Sequence, residues 1–306
     1  MERDYLSVDD LSPEELGQIL DLSEKVKADP ASYAGALEGR SIALVFEKAS
    51  TRTRVSFEVG VFQMGGHPLV LSTSDLQLGR GETIEDTGRV LSRYVDAIVL
   101  RTFEQERLEV LAGSASVPVV NSLSDFEHPC QALADLLTVR ERFGSLEGRM
   151  LSYLGDGNNV AHSLLLAGAK AGMGVRVATP PGFEPIPQVV HRAAEIAAGT
   201  GGSVEVMADP RAAATGADVL YTDVWASMGQ EAEAEDRALV FPAFQVNQQL
   251  VDAASPEAIV LHCLPAHRGQ EITDEVIDGP HSRVWDQAEN RLHTQKALLL
   301  FLLGAA

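Results

Sequence analysis

Apolar runs of strand length alternate with helix-patterned segments along nearly the whole chain, and this alternation is what most limits the fold. Ile42–Phe46, Leu69–Ser72, Ala97–Leu100 and Pro118–Asn121 read as buried strands. Helical patterns at Thr53–Met64, Ile84–Tyr94 and Gln105–Ala112 separate them. A long helical run from Ala132 to Phe143 follows. Strand-like runs then resume at Leu151–Leu154, Val175–Ala178, Val204–Met207, Val219–Thr222, Ile259–His262 and Val284–Trp285. Strands joined by helical crossovers are parallel, with helices covering the sheet faces, so the expected class is α/β. At 306 residues the chain is too long for one typical core. Two domains are expected, 1–132 and 133–289, with the apolar helix 290–306 packing back on the first. Ser12-Pro13-Glu14-Glu15 opens the first helix as a capping box with proline at N1. In the helix after the first strand, Val55, Val59 and Phe62 share one face.

Composition removes whole classes of function. No apolar run approaches the roughly 20 residues of a membrane span, and Met1–Leu6 has neither the basic nor the apolar region of a secretory signal. Cys130 and Cys263 are the two cysteines, too few for a disulfide framework, so a reducing cytoplasm is expected. A formal charge of −20 argues against nucleic acid and anionic lipid as partners. An anionic ligand must then be held by local donors, since charges beyond about 8 Å are largely screened at physiological salt.

Such donors cluster where predicted strands end, the usual position of ligands on open α/β sheets. Ser50-Thr51-Arg52-Thr53-Arg54 stands where the first strand hands over to a helix. Helix N-terminal N–H groups, three hydroxyls and two guanidinium groups suit a phosphate dianion. Arg101 ends the third strand, where a lone arginine reads equally as a solvated charge. In His128-Pro129-Cys130-Gln131, proline at the first helical turn sets His128 near the N-cap and Gln131 one turn on. Neutral imidazole and amide groups there can donate to a carbonyl oxygen, and Cys130 reads as packing.

Asp223-Val-Trp-Ala-Ser-Met-Gly229 closes another strand, followed by an Ala/Glu-rich loop at 230–237. His262-Cys263-Leu264-Pro265 closes a further one. Adjacent strand residues face opposite ways, which sets His262 and Cys263 apart and disfavours a thiolate dyad. Gly155-Asp156-Gly157-Asn158-Asn159 lacks the third glycine of a dinucleotide fingerprint. No Walker motif and no Cys/His spacing of a zinc site occurs, so neither metal nor cofactor is expected.

In order and spacing, the Ser50–Arg54, Arg101-Thr102, His128–Gln131, Asp223–Gly229 and His262–Pro265 motifs resemble those of the aspartate/ornithine carbamoyltransferase family, ornithine branch, across essentially the whole chain. The first three are shared by carbamoyltransferases in general; the last two distinguish the ornithine enzymes. The resemblance implies parallel sheets in two domains, with an active site in the cleft between them. It implies carbamoyl phosphate held by Ser50, Thr51, Arg52, Thr53, Arg101, His128 and Gln131. Gln77 would come from a neighbouring subunit of a homotrimer, or of an assembly of trimers, with Arg80 a second candidate from the same segment. Asn159, Asp223, Ser227 and Met228 would hold ornithine. Cys263, the Leu264 carbonyl and Arg291 would border the reacting centre, with Arg101, His128, Cys263 and Asp223 as the catalytic set.

The implied reaction is direct attack of ornithine's neutral δ-amine on the carbamoyl carbon, yielding citrulline and phosphate with no covalent enzyme intermediate. The rival readings are a carbamoyltransferase for putrescine or an acylated ornithine, and a non-catalytic ligand-binding paralogue.

Overall fold

The computed structural model describes residues 3–72, 81–226 and 234–305. These form two compact units, 1–137 with 289–306, and 138–288. The first unit runs α1 (Pro13–Ala28), β1 (Ser41–Phe46), α2 (Thr51–Gln63), β2 (His67–Ser72), α3 (Ile84–Leu91), β3 (Ala97–Arg101), α4 (Gln105–Ser114) and β4 (Val119–Leu123). It also takes the start of α5 (Pro129–Phe143). Ser12 caps α1 as expected, accepting from Glu15 N while the Glu15 side chain returns to the Ser12 N–H. All strand pairs are parallel, in the order β2-β1-β3-β4. Inner strands of such a sheet are covered on both faces, which is why β1 and β3 are almost wholly apolar. One side of the core joins Ala43, Val45, Ile98 and Leu100 to Leu108 and Leu111 of α4.

The second unit continues through β5 (Met150–Leu154), α6 (Asn159–Lys170), β6 (Gly174–Ala178), α7 (Pro187–Thr200), β7 (Ser203–Met207) and α8 (Pro210–Ala214). It is completed by β8 (Val219–Thr222), α9 (Ala234–Val240), α10 (Gln248–Ala253), β9 (Ile259–His262) and α11 (Asp274–Ile277). The last helix, α12 (Val284–Leu302), starts in this unit and from Glu289 belongs to the first. Strand order is β7-β6-β5-β8-β9, again all parallel. In both sheets the chain reverses its direction of travel, at β1/β3 and at β5/β8, and the strand ends beside those points carry the polar motifs.

One expectation fails. Val284–Trp285 is not a strand but the first turn of α12. A pair of β-prone residues is too short to resist the long helix-forming sequence after it. Val55, Val59 and Phe62 share a face of α2, as their spacing implies, and that face is exposed, Val55 at 51% and Phe62 at 73%. The helix buries Thr53, Phe57, Gly60 and Val61 instead. Gly60 admits the close approach of α12, since a Cβ there would lie 3.3 Å from Lys296 Cγ and 3.4 Å from Leu292 Cδ1.

Candidate active site

The first unit concentrates cations around one histidine. Ser50 is the N-cap of α2, its hydroxyl accepting from Thr53 N at 3.3 Å. Thr51 and Arg52 form the first turn, whose N–H groups lack helical partners by geometry. Arg52 is half-buried, and its Nε has no hydrogen-bond partner, a donor left for a ligand. Arg54 does not join them: it faces outward and pairs with Glu58 at 3.5 Å. Arg101 is buried at the end of β3, where the register with β4 shifts between Leu100 and Arg101. A bulge of this kind re-aims a side chain at a strand end.

His128 stands immediately before α5, and its carbonyl accepts from Gln131 N at 3.0 Å. Burial first, and then Arg291, Arg101, Arg52 and Lys48, hold the imidazole well below its ordinary pKa. It is therefore a neutral donor near pH 7.

Arg291 of α12 binds the cluster together. Its Nη2 donates to Thr53 Oγ1 at 2.5 Å and its Nη1 to Gln131 Oε1 at 3.1 Å. Gln131 Nε2 donates in turn to Asp135 Oδ1 at 2.8 Å. The amide nitrogen expected to serve a ligand carbonyl is thus committed to Asp135, and Gln131 presents its oxygen instead. Lys48, absent from the motif reading, lies buried beside the same motif, 3.4 Å from Asp125 and 5.0 Å above the Phe103 ring. Cys130 is buried, donates to Asn121 O at 3.3 Å, and has its pKa pushed up to about 12 by burial. It is packing, as read from the sequence.

The second unit places a carboxylate against a thiol. Asp223 follows β8, Cys263 follows β9, and the Cys263 thiol donates to Asp223 Oδ1 at 2.9 Å. The other carboxylate oxygen accepts from Asn158 Nδ2 at 3.0 Å. Asn158 caps α6, its Oδ1 taking the N–H groups of Val160 and Ala161, which fixes its amide orientation. It receives Tyr153 OH at 3.3 Å, a phenol held well above its usual pKa by burial and then by Asp223 and Asp156. Asn159, the asparagine expected to bind ornithine, starts α6; the one on Asp223 is its neighbour Asn158.

His262 accepts from Leu264 N at Nδ1, 2.8 Å, and meets Glu271 Oε1 at Nε2, 3.1 Å. That pair of contacts leaves the proton on Nε2. Leu264 has a left-handed backbone, φ 60°, which a leucine adopts at a cost of about 1–2 kcal/mol. A His262 nitrogen does come within 4.8 Å of the Asp223 and Cys263 ligand atoms, closer than strand alternation suggests. Both nitrogens are engaged, however, so a cation at this trio would have to displace one contact.

Gln77, Arg80, Ser227 and Met228 lie outside the described residues. Lys48, Asp135, Asn158 and Glu271 escaped the motif reading. Asp135 was within reach of it, four residues beyond Gln131 on the same helical face. Glu271 meets His262 only through the fold.

Comparison with known proteins gives the family. Residues 3–141 match the family model described as aspartate/ornithine carbamoyltransferase, carbamoyl-P binding domain. Residues 147–302 match its Asp/Orn binding domain. An ornithine carbamoyltransferase of Parafrankia sp. is 62% identical over 304 residues, covering 98% of this chain and 96% of its own. The solved structure of ornithine carbamoyltransferase from Pyrococcus furiosus superposes with a TM-score of 0.96 at 55% identity, covering 99% of this chain and 97% of that one. That from Gloeobacter violaceus gives 0.90 at 53%, covering 99% of each. With both domain models matched in order across most of its length, the chain belongs to the aspartate/ornithine carbamoyltransferase family.

Proposed function

We propose that the protein transfers the carbamoyl group of carbamoyl phosphate to the δ-amine of L-ornithine, giving L-citrulline and phosphate. The observation that carries this reading is the buried His128 beside buried Arg101 and an Arg291 bonded to Thr53 and Gln131, with burial and the charges of Arg291, Arg101, Arg52 and Lys48 lowering the imidazole pKa. A phosphate dianion suits the cations, and a developing carbonyl oxyanion is stabilised by fixed donors beside them. Ser50, Thr51, Arg52 and the N-terminus of α2 take the phosphoryl oxygens. Thr53, Arg101 and His128 stabilise the oxyanion, each fixed donor worth roughly 3–4 kcal/mol. Asp223, with Asn159, Ser227 and Met228, holds the amino acid, and Cys263, Leu264 and Arg291 border the reacting carbon. As the C–N bond forms, the bond from carbon to the phosphate oxygen breaks, and the amine proton leaves with phosphate. No separate base is required, and orientation in a dry site supplies much of the rest.

The working form is a homotrimer, or an assembly of trimers, in a reducing cytoplasm. The exposed apolar face of α2, Val55, Val59 and Phe62, supports association, and no helix among the described residues is long and apolar enough to cross a membrane. A steady-state assay with carbamoyl phosphate and ornithine, in competition with putrescine and N-acetylornithine, tests the reaction. Citrulline is the expected main product. Preferred carbamoylation of either competitor, or ligand binding without turnover, would replace this reading.

A further inference from the structure

Gln131 and Asp135 lie one turn apart on α5, and each is only 1% exposed. Arg291 can only donate, so the Gln131 atom 3.1 Å from its Nη1 must be the amide oxygen. The amide nitrogen then falls 2.8 Å from Asp135 Oδ1, an acceptor. Turning the amide over would set N–H groups against the guanidinium and oxygen against the carboxylate. Donor chemistry thus settles an orientation that shape alone leaves open.

The same Arg291 donates to Thr53 and stands among the cations around His128. The Gln131 oxygen carries a second lone pair beyond the one given to Arg291. It is an acceptor beside a cluster of cationic donors, and a phosphate or a carbonyl oxygen has no use for it. A ligand group with N–H bonds does.

We propose that Asp135 is a positioning residue for donor specificity: by holding the Gln131 amide nitrogen, it keeps the amide oxygen turned to the N–H bonds of a carbamoyl group. The proposal rests on the carbamoyl phosphate reading above. It sets carbamoyl phosphate apart from acetyl phosphate, which matches it in shape but offers a methyl where carbamoyl offers NH2. An acceptor left facing a methyl is desolvated without a partner, and sites built to bond an N–H reject analogues lacking it.

The test is calorimetric affinity for carbamoyl phosphate, acetyl phosphate and inorganic phosphate in the wild type, Asp135→Leu and Asp135→Asn. Wild type favours carbamoyl over acetyl phosphate. Asp135→Leu removes the acceptor and narrows that ratio about tenfold, while affinity for inorganic phosphate stays within about twofold. Asp135→Asn keeps an acceptor oxygen and restores the ratio to within about threefold.

A wild-type ratio in Asp135→Leu, equal loss for all three ligands, or no difference between the Leu and Asn variants overturns the proposal. Should Asp135→Leu fail to fold, the wild type decides through its Gln131 side-chain amide signals, assigned by their loss in Gln131→Glu. They are protected from exchange before ligand is added, and exchange at the rate of a free glutamine overturns the assignment. A wild type that prefers carbamoyl phosphate yet forms no citrulline would sink the proposed reaction and leave the role of Asp135 standing.

Discussion

The thiol of Cys263 donates to Asp223 at 2.9 Å, and both oxygens of that carboxylate are already occupied by donors. A thiol that donates to a carboxylate in this way keeps its proton, which disfavours a nucleophilic role and fits the proposed direct attack by the amine. Cys263→Ser keeps a donor of similar size, so citrulline formation should fall by about one to two orders of magnitude and persist. A carbamoyl-thioester trapped on Cys263 in the wild type would count against this. His128 gives a second residue-level expectation. Its native pKa is depressed by burial and four cations. On acidification the unfolded chain therefore takes up this proton first. The stability it contributes is intact above about pH 6.5 and is lost as pH falls below that value. The His128 ring resonance, assigned with His128→Asn, should hold still from pH 8 to 6; a midpoint near 6.5 would remove the neutral donor from the mechanism. Residue types and spacing were enough to single out Cys263 and His128. The direction of each hydrogen bond came from neighbours far away in sequence, such as Asp223 for Cys263 and Arg291 for Gln131.

At the scale of elements, the Gly155–Asn159 turn between β5 and α6 shows why a motif needs its surroundings. Gly155 has φ 148°, which glycine tolerates and L side chains rarely adopt. Gly157 donates to Phe183 O at 2.8 Å. A Cβ at Gly157 would fall 2.3 Å from Pro185 N and 2.5 Å from Phe183 O. Gly157 serves close packing against the 183–185 backbone and Gly155 supplies the φ of the turn, which explains a dinucleotide-like pattern without its third glycine. Beside this turn, Arg237 of α9 donates to Asp156 at 2.6 Å and to Trp225 O at 2.7 Å, and stacks over Phe183. Gly157→Ala should lower stability by about 1–3 kcal/mol in denaturant titration and weaken amino-acid binding through Asn158 and Asp223. An unchanged midpoint with unchanged ornithine affinity would show that the backbone yields freely. Strand and helix positions were legible wherever a run was long and bounded by turn residues, as at Ile42–Phe46 and Ile259–His262. Val284–Trp285 resembles a strand in sequence yet folds as helix, because two apolar residues carry no period of their own.

For the whole molecule, the expected trimer places Gln77 of one subunit in the carbamoyl phosphate site of the next. Mixing Gln77→Ala with Arg52→Ala, each inactive alone, should then restore some wild-type sites and some citrulline formation. Arg52→Ala alone should lose carbamoyl phosphate binding in calorimetry. Absence of complementation in a mixed assembly would confine each site to one chain. Phe62→Asp, on the exposed face of α2, should shift the protein to smaller species in sedimentation without unfolding it; an unshifted boundary would move the contact elsewhere.

The sequence by itself determined the parallel α/β architecture and the family, and marked the strand end expected to hold phosphate, because periodicity and side-chain chemistry are local properties. Only the tertiary structure decided which way each donor points. It turned Arg54 out to Glu58, exposed the apolar face of α2, set Asn158 on Asp223, and committed the Gln131 amide to Asp135. Each of those outcomes depends on which side chain arrives from another element, and hydrogen-bond complementarity across such distances leaves no period in the chain.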